Sequence, residues 1–205
     1  MVTPFLAALL AFTAAPVPAL PGVQNATIQP STDSASERQA MRALSLCLAQ
    51  RRPGWARQTL AHGYLSSAQA SAAAAALTGR DNCIKDDMEI TFRTSGLVAG
   101  LAEHFLRTEL ARVDFAKVAY AVAAIDPRNV SEDFALCVAA RNPTAARDLA
   151  LSDPGSPAEE DAVQRLAVHI APCTNPGESP MVELQSLRAL VSVALYRGLT
   201  RAMAS

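Results

Sequence analysis

Four cysteines are the residues of this chain best suited to chemistry, and their spacing is regular. Cys47 and Cys83 are 36 positions apart, as are Cys137 and Cys173, and the two pairs are offset by 90 positions. Structural zinc sites place paired ligands roughly two to four residues apart, and redox-active dithiols form a C-x-x-C motif. Neither spacing occurs here. We therefore expect four structural, disulfide-bonded cysteines and no metal site.

The remaining candidates for catalysis or metal binding are weak. The histidines are isolated in sequence, and His104 and Glu109 do not have the spacing of an H-E-x-x-H zinc face. The acidic run Asp86-Asp87-Met88-Glu89 lacks the D-x-D-x-D-G pattern of a calcium loop, which favours a solvated loop. Nucleophile-elbow, Walker and Rossmann motifs are also absent from the sequence. We assign no catalytic, cofactor-binding or metal-binding residue and expect no cofactor.

Arginines offer the best prospect of a role beyond packing. Cations near a helix C-terminus stabilise the negative end of its dipole, and Arg51 and Arg107 are expected near such ends. We favour this capping role over the alternative, in which guanidinium groups bind an anion. Arginine pairs that recur at the 90-residue offset include Arg51/Arg141, Arg57/Arg147 and Arg107/Arg197.

The 90-residue offset extends well beyond the cysteines and arginines, without insertion or deletion. Such self-similarity predicts a tandem duplication. An ancestral single repeat could only have closed on itself, so among three formal pairings we predict Cys47–Cys83 and Cys137–Cys173. The residues matched at the offset, alanine excluded, include Leu46, Cys47, Arg51, Pro53, Arg57, Ser66, Cys83, Leu97 and Arg107.

Helix signals recur at equivalent places in both halves. Ser156 with Glu159, and Ser66 with Gln69, form capping boxes at a helix start. We expect the cysteine-bearing helices to begin near Ser36 and Ser131, and Pro53 and Pro143 to start the next helix. A last helix carries apolar residues four apart on one face, Leu97-Leu101-Phe105 and Leu187-Val191-Leu195. The fold class is therefore all-α, with two tandem repeats of about four helices and one disulfide in each.

Two residue types are assigned to packing. Gly96 and Gly100 have the spacing of a close helix-packing face. Trp55, the sole tryptophan, is interpreted as a filler between helices rather than a ligand-stacking residue. The segments Ile84 to Thr94 and Thr174 to Glu183 are predicted to be loops.

Export is indicated at the N-terminus. An apolar run ends in Ala15-Pro16-Val17-Pro18-Ala19, which is typical of a signal-peptide cleavage region. Paired cysteines suit an oxidising compartment, so we expect a periplasmic or secreted protein. The predicted organisation is a signal peptide (1–19), a flexible N-terminus (20–34), repeat 1 (35–112), a partly helical connector (113–130) and repeat 2 (131–205), the repeats packing as one domain.

Charge and hydropathy exclude some partners. The formal net charge is −1, which gives no electrostatic reason to bind nucleic acid. After the leader, no apolar run is long enough to span a membrane, which takes roughly 20 residues.

The layout resembles a group of small exported bacterial proteins with a duplicated, cysteine-paired helical repeat. The motifs that carry the likeness are Cys-Val-Ala-Ala-Arg-Asn-Pro, Pro-Gly-Ser-Pro-Ala-Glu-Glu and Leu-Arg-Ala-Leu…Ala-Leu-Tyr-Arg. The resemblance implies export and a helical repeat, and it brings no catalytic residues with it.

The function we expect is a non-enzymatic binding or scaffolding module of the cell envelope, acting on a protein or other envelope partner. The alternative is a small periplasmic hydrolase with a site in the groove between the repeats. That site would use His62 or His104 with nearby carboxylates such as Glu109 and Asp114.

Overall fold

Helices make up nearly all the regular structure of the part described by this computed structural model, residues 27–75, 83, 93–174 and 181–205. Two short strands accompany them, so the predicted all-α class is confirmed. The described helices are α1 (Ala35–Arg51), α2 (Pro53–Ala61), α3 (Ser67–Ala74), α4 (Thr94–Glu109), α5 (Phe115–Ala123), α6 (Val130–Arg141), α7 (Pro143–Leu151), α8 (Pro157–Ala167) and α9 (Leu184–Ala204). The strands are β1 (Thr27–Gln29) and β2 (Met181–Glu183), and 3₁₀ turns cover Leu110–Arg112 and Ala171–Cys173.

Helices α4 and α9 form the centre of the core. They pack on each other. Helix α1 covers α4, and the face of α9 is covered by α5, α6 and α7. Their buried side chains are mostly aliphatic, with Leu97, Leu101, Leu187 and Leu195 completely inaccessible to solvent. Both halves of the chain therefore contribute to one hydrophobic core.

Two glycines allow neighbouring helices to approach closely. A Cβ added at Gly100 would lie 2.3 Å from the Ser45 Cβ of α1, and one at Gly198 would lie 2.4 Å from a Val122 methyl of α5. At Gly96 an added Cβ would lie 3.0 Å from the Met41 side chain. The predicted packing role of Gly96 and Gly100 is therefore confirmed.

Helix boundaries coincide at the 90-residue offset in three places. Helices α2 and α7 begin at Pro53 and Pro143, α3 and α8 at residues 67 and 157, and α4 and α9 at residues 94 and 184. Two described residues with positive φ, Leu65 at 57° and Gly155 at 79°, also stand 90 positions apart. The same local backbone thus precedes α3 and α8.

Both disulfides have the predicted pairing. Cys47 in α1 is bonded to Cys83, and Cys137 in α6 is bonded to Cys173. Each bridge closes a loop that spans 36 positions and contains the following two helices. In the chain-entropy model, a disulfide that closes a loop of this size lowers the entropy of the unfolded chain and thereby stabilises the fold by about 4 kcal/mol.

The two segments that form β1 and β2 were predicted to have no regular structure, and this prediction was wrong. β1 lies in the segment expected to be flexible and β2 in the segment expected to be a loop, and they pair in parallel, Ile28 opposite Val182. The Ser31 hydroxyl also donates to the Glu183 carboxylate at 2.8 Å. Three-residue strands are too short to give a reliable alternation of apolar and polar residues.

The cysteine-bearing helices begin at Ala35 and Val130, each within one residue of its predicted start. Ser34 caps α1 in a full capping box with Glu37, and Asn129 caps α6 by accepting from the Glu132 amide. Ser66 and Ser156 do cap α3 and α8. The reciprocal bonds, however, come from the residue before each cap: Leu65 N donates to Gln69 at 2.9 Å and Gly155 N to Glu159 at 2.7 Å.

Trp55 bridges two helices, as its interpretation as a filler predicts. It is partly buried against the core, and its indole N–H donates to the Ala72 carbonyl at 3.0 Å. The signal peptide, the acidic run 86–89 and most of the predicted loop 84–94 lie outside the described residues.

A candidate anion-binding pocket

Two groups of buried carboxylates organise the arginines. In the first group, Glu103 of α4 and Glu159 of α8 are both almost fully buried. Arg188 of α9 lies between them, 3.1 Å from Glu159 and 3.4 Å from Glu103. Three more arginines complete the group. Arg38 of α1 is 2.8 Å from Glu159, while Arg42 of α1 and Arg107 of α4 are each 2.7 Å from Glu103.

This first group is a structural network. It connects α1 and α4 with α8 and α9, which lie in opposite halves of the chain. Burial lowers the pKa of the Arg188 guanidinium, and the charges of Glu103 and Glu159 oppose that shift. Arg188 also donates to the carbonyls of Ala150 and Ser152 at the end of α7. Its donors are directed at groups of the protein itself.

The second group lies beside an open pocket of about 550 Å³. Four arginines line it: Arg57 from α2, Arg128 from the turn before α6, and Arg197 and Arg201 from α9. Arg197 and Arg201 are four residues apart and therefore share one face of the helix. Asp126 is the only acidic residue of the lining, among the described residues.

Glu132 holds two of these arginines in place. Its carboxylate is 2% exposed and accepts bonds from Arg128 Nη2 at 2.6 Å and Arg197 Nη1 at 2.8 Å. It also accepts from the backbone N–H of Tyr64 at 2.9 Å. Burial alone would raise the pKa of Glu132. The hydrogen bonds and the charge of Arg197 nevertheless hold this pKa below its ordinary value. Glu132 is thus ionised at neutral pH.

Arg128 is also tied to the end of a helix. Its guanidinium donates to the carbonyls of Ala61, the last residue of α2, and His62, the latter at 3.0 Å. With the Glu132 contacts, this fixes the guanidinium plane in the wall of the pocket. Most of its N–H groups are thereby bonded to the protein, so Arg128 contributes mainly positive charge to the pocket.

Arg57 is positioned by three neighbours. It pairs with Glu109 and lies over the Phe105 ring, 4.1 Å from the ring centre. The Tyr196 hydroxyl is its third partner. Burial alone would lower the pKa of Arg57, but the contacts with Glu109 and Tyr196 raise it. Arg201, by contrast, is an exposed side chain on α9.

The pocket is therefore suited to an anion. Guanidinium groups remain charged at all physiological pH values and bind carboxylate or phosphate oxygens through paired hydrogen bonds. The carboxylates that orient Arg57, Arg128 and Arg197 do not line the pocket, although they offset part of its positive charge. The described lining itself contains four arginines and one carboxylate, that of Asp126. Thr200 and Tyr196, which carry hydroxyl groups, line the same pocket.

The arginine pairs predicted from the sequence have three different environments. Arg51 and Arg141 are exposed final residues of α1 and α6, as a capping role requires. Arg107 caps a different helix from its own, since it donates to the Leu151 carbonyl of α7. Arg57 and Arg197 converge on the pocket, which is the arrangement that the alternative interpretation, anion binding, requires.

Sequence reasoning missed Arg128 and Arg201. Arg128 matches Arg38 at the 90-residue offset, so the alignment contained a signal for it. The counterpart of Arg201 at the offset is Ala111, so the repeat gave no such signal there. Only tertiary packing shows that α9 presents Arg201 beside the other three arginines.

The histidines lie outside the lining of the pocket. Burial lowers the pKa of His104, Glu109 opposes this shift, and Arg57 adds to it. Asp114 caps α5 by accepting from the Ala116 amide at 3.0 Å. Among the residues named for the hydrolase alternative, Glu109 thus acts electrostatically on His104, whereas Asp114 serves as the cap of α5.

Two further observations concern the described residues alone. They contain no group of three or more His, Cys, Asp or Glu side chains that could hold a metal ion. Their helices are also either too short or too polar to cross a membrane.

Comparisons with protein-family models, with curated proteins and with solved structures found no match. The functional assignment therefore depends on the pocket itself.

Proposed function

We propose that this protein is an exported helical binding module that holds a small polyvalent anion, bearing carboxylate or phosphate groups, in the arginine pocket. The observation that carries the proposal is the convergence of Arg57, Arg128, Arg197 and Arg201 on one cavity. With Glu109, Glu132 and Asp126 counted against them, the four arginines leave a net positive charge of one around the cavity, which an anionic ligand would neutralise.

The anchoring of the arginines supports binding over simple solvation. Buried Glu132 orients Arg128 and Arg197, and Glu109 orients Arg57. Most N–H groups of Arg128 are bonded to Glu132, Ala61 and His62, so the donors left for a ligand come mainly from Arg57, Arg197 and Arg201. A hydrogen bond to a charged group contributes about 1.5 to 3 kcal/mol, so several such contacts are needed to offset the translational and rotational entropy that a ligand loses on binding.

Export and duplication belong to the same proposal. Two disulfides, the signal-like leader and the resemblance to exported bacterial proteins support a periplasmic or secreted location. The coincident starts of α2 and α7, α3 and α8, and α4 and α9 support a tandem duplication.

Calorimetric titration with citrate, and separately with inorganic phosphate, tests the binding function at low ionic strength. We expect saturable binding of one ion per chain by at least one of the two. Arg201→Gln should weaken binding about tenfold, because a charge-assisted contact is lost from an exposed side chain outside the core.

The matched control is Arg165→Gln, which changes the net charge by the same amount. Arg165 is a partly exposed arginine paired with Asp148 and Asp161, outside the pocket. Its loss should leave the affinity within about twofold, a difference well below about 1 kcal/mol. Equal weakening by both variants, or no binding of either anion, would contradict the proposal.

A further inference from the structure

The arginine pocket also contains hydrogen-bond acceptors, which a site for a simple anion does not need. Asp126, in the connection between α5 and α6, is an exposed carboxylate residue of the lining. Thr200 of α9 lines the same pocket, and its hydroxyl donates to the Arg197 carbonyl at 2.9 Å. Because the one proton of this hydroxyl is directed at the helix backbone, its oxygen can only accept a further hydrogen bond.

Contacts on both sides hold the backbone of Asp126 in place. Ile125, the preceding residue, packs against the core. Pro127, the following residue, favours extended backbone at Asp126 because its ring disfavours the helical conformation there. The Asp126 carbonyl also accepts from Arg197 at 3.4 Å. The carboxylate is therefore carried by an anchored stretch of chain.

Two charged side chains of the lining have no partner in the described part of the chain, and their charges are opposite. The other three arginines of the pocket are paired with buried carboxylates. The side chains of Arg201 and Asp126 form no ion pair or hydrogen bond with any described residue, and so they do not pair with each other. One cavity is thus lined by a cation and a carboxylate that are both available to a ligand.

The charge around the cavity limits the ligand further. Four arginines and three carboxylates, Asp126 included, leave a net charge of +1. A dianionic group together with one ammonium group has a net charge of −1, which balances this value. A ligand without the ammonium group would bring its own negative charge close to the Asp126 carboxylate, and the two would repel each other.

We propose that the ligand of the arginine pocket is a zwitterion, in which a dianionic group, one phosphate or two carboxylates, is bound by the arginines and a protonated amine is bound by Asp126. The Thr200 hydroxyl is a second acceptor for the amine in the same lining. This inference rests on the proposed function, because it requires anion binding in this pocket. Asp126 is then the residue that distinguishes amino-substituted anions from plain ones.

Calorimetric titration of the disulfide-bonded protein with matched ligands tests the role of the amine. Phosphoethanolamine is compared with ethyl phosphate, and L-glutamate with glutarate, because the members of each pair differ only by an ammonium group. At about pH 8 the phosphates are doubly ionised and the amines are protonated. In at least one pair, the amine should bind about threefold to tenfold more tightly, because it gains a charge-assisted contact.

Asp126→Asn removes the carboxylate and keeps the shape of the side chain. It should abolish the preference for the amine, while the plain anion should bind equally well or up to about threefold more tightly, because a repulsive charge is lost. The fold should be unaffected, since the replaced carboxylate has no partner among the described residues.

Asp161→Asn is the matched control for this variant. Asp161 is an exposed residue of α8 that pairs with Arg165 outside the pocket. Its substitution changes the net charge by the same amount and should leave the preference for the amine as it is in the wild type.

Two results would overturn the inference and leave the proposed function standing, provided that citrate or phosphate still binds. They are equal affinities of the wild type for both members of each pair, and an undiminished preference for the amine in Asp126→Asn. The first comparison uses the wild type alone and does not depend on any variant. If none of the anions bound, the proposed function and the inference would fail together.

Discussion

At the scale of single residues, the fold depends on a few carboxylates buried among arginines. Glu103, Glu159 and Glu132 are each almost inaccessible to solvent, and each faces at least two guanidinium groups. A buried charge is tolerated only when it is paired, and losing one partner leaves the other uncompensated. These residues are therefore sensitive positions, although they do not line the proposed binding pocket.

Glu159→Gln should destabilise the protein by about 3 to 5 kcal/mol, because Arg38 and Arg188 would lose their shared carboxylate inside the protein. Urea denaturation at neutral pH measures the change. Glu160→Gln is the control, since Glu160 is exposed on the same helix and its loss should change the free energy of unfolding by less than about 0.5 kcal/mol. Similar effects of the two variants would show that the buried network contributes little.

Glu132 gives stability a defined dependence on pH. Its pKa in the folded protein is lowered from the ordinary value of 4.5, so the unfolded chain binds the proton more readily. The resulting stabilisation is complete above the ordinary value and is lost as the pH falls through the lowered one.

The difference in unfolding free energy between the wild type and Glu132→Gln should therefore be largest at about pH 6 and should shrink toward about pH 3. Urea titrations at several pH values check this. A difference that is constant, or that grows on acidification, would contradict the role assigned to Glu132.

At the scale of elements, close helix contacts depend on glycine. The Cβ of an alanine at position 100 would meet the Ser45 Cβ, which belongs to the stem of a side chain and cannot swing away. Helix α1 would have to move away from α4.

Gly100→Ala should accordingly cost about 1 to 3 kcal/mol. Gly54→Ala in α2 is the control, because nothing lies within 4 Å of its added Cβ, and it should stabilise the protein by up to about 1 kcal/mol. Thermal denaturation of the two variants gives the comparison. A Gly100→Ala protein as stable as the wild type would mean that the interface of α1 and α4 adapts to the extra methyl group.

Local signals explain what could be predicted about these elements. Pro53 and Pro143 mark helix starts correctly because proline at the first helical position acts within its own turn. The pairing of β1 with β2 was not predictable in the same way, since it joins Thr27 to Met181 across most of the chain. Two of the four arginines of the pocket, Arg57 and Arg197, were identified from the sequence as recurring residues. The other two come beside them only through tertiary packing.

At the scale of the whole molecule, the two halves use equivalent arginines differently. The counterparts of Arg57, Arg128 and Arg197 at the 90-residue offset are Arg147, Arg38 and Arg107. Arg38 and Arg107 pair with Glu159 and Glu103 inside the network, and Arg147 pairs with Asp148.

The position of Glu132 illustrates how the halves differ. Its counterpart at the offset is Arg42, so one half has a carboxylate where the other has a cation. Arg42 pairs instead with Glu103 of α4 and with Asp153. The proposed duplication would thus have produced one set of arginines with partners inside the protein or next to them in sequence, and one set that lines the pocket.

Arginine side-chain NMR tests the central claim, anion binding in the pocket, most directly. In a citrate titration, the Nε–H resonances of Arg57, Arg128, Arg197 and Arg201 should shift together and saturate at one ion per chain. Those of Arg147 and Arg165 should remain in place. Uniform small shifts of all arginines, or the absence of saturation, would contradict the account.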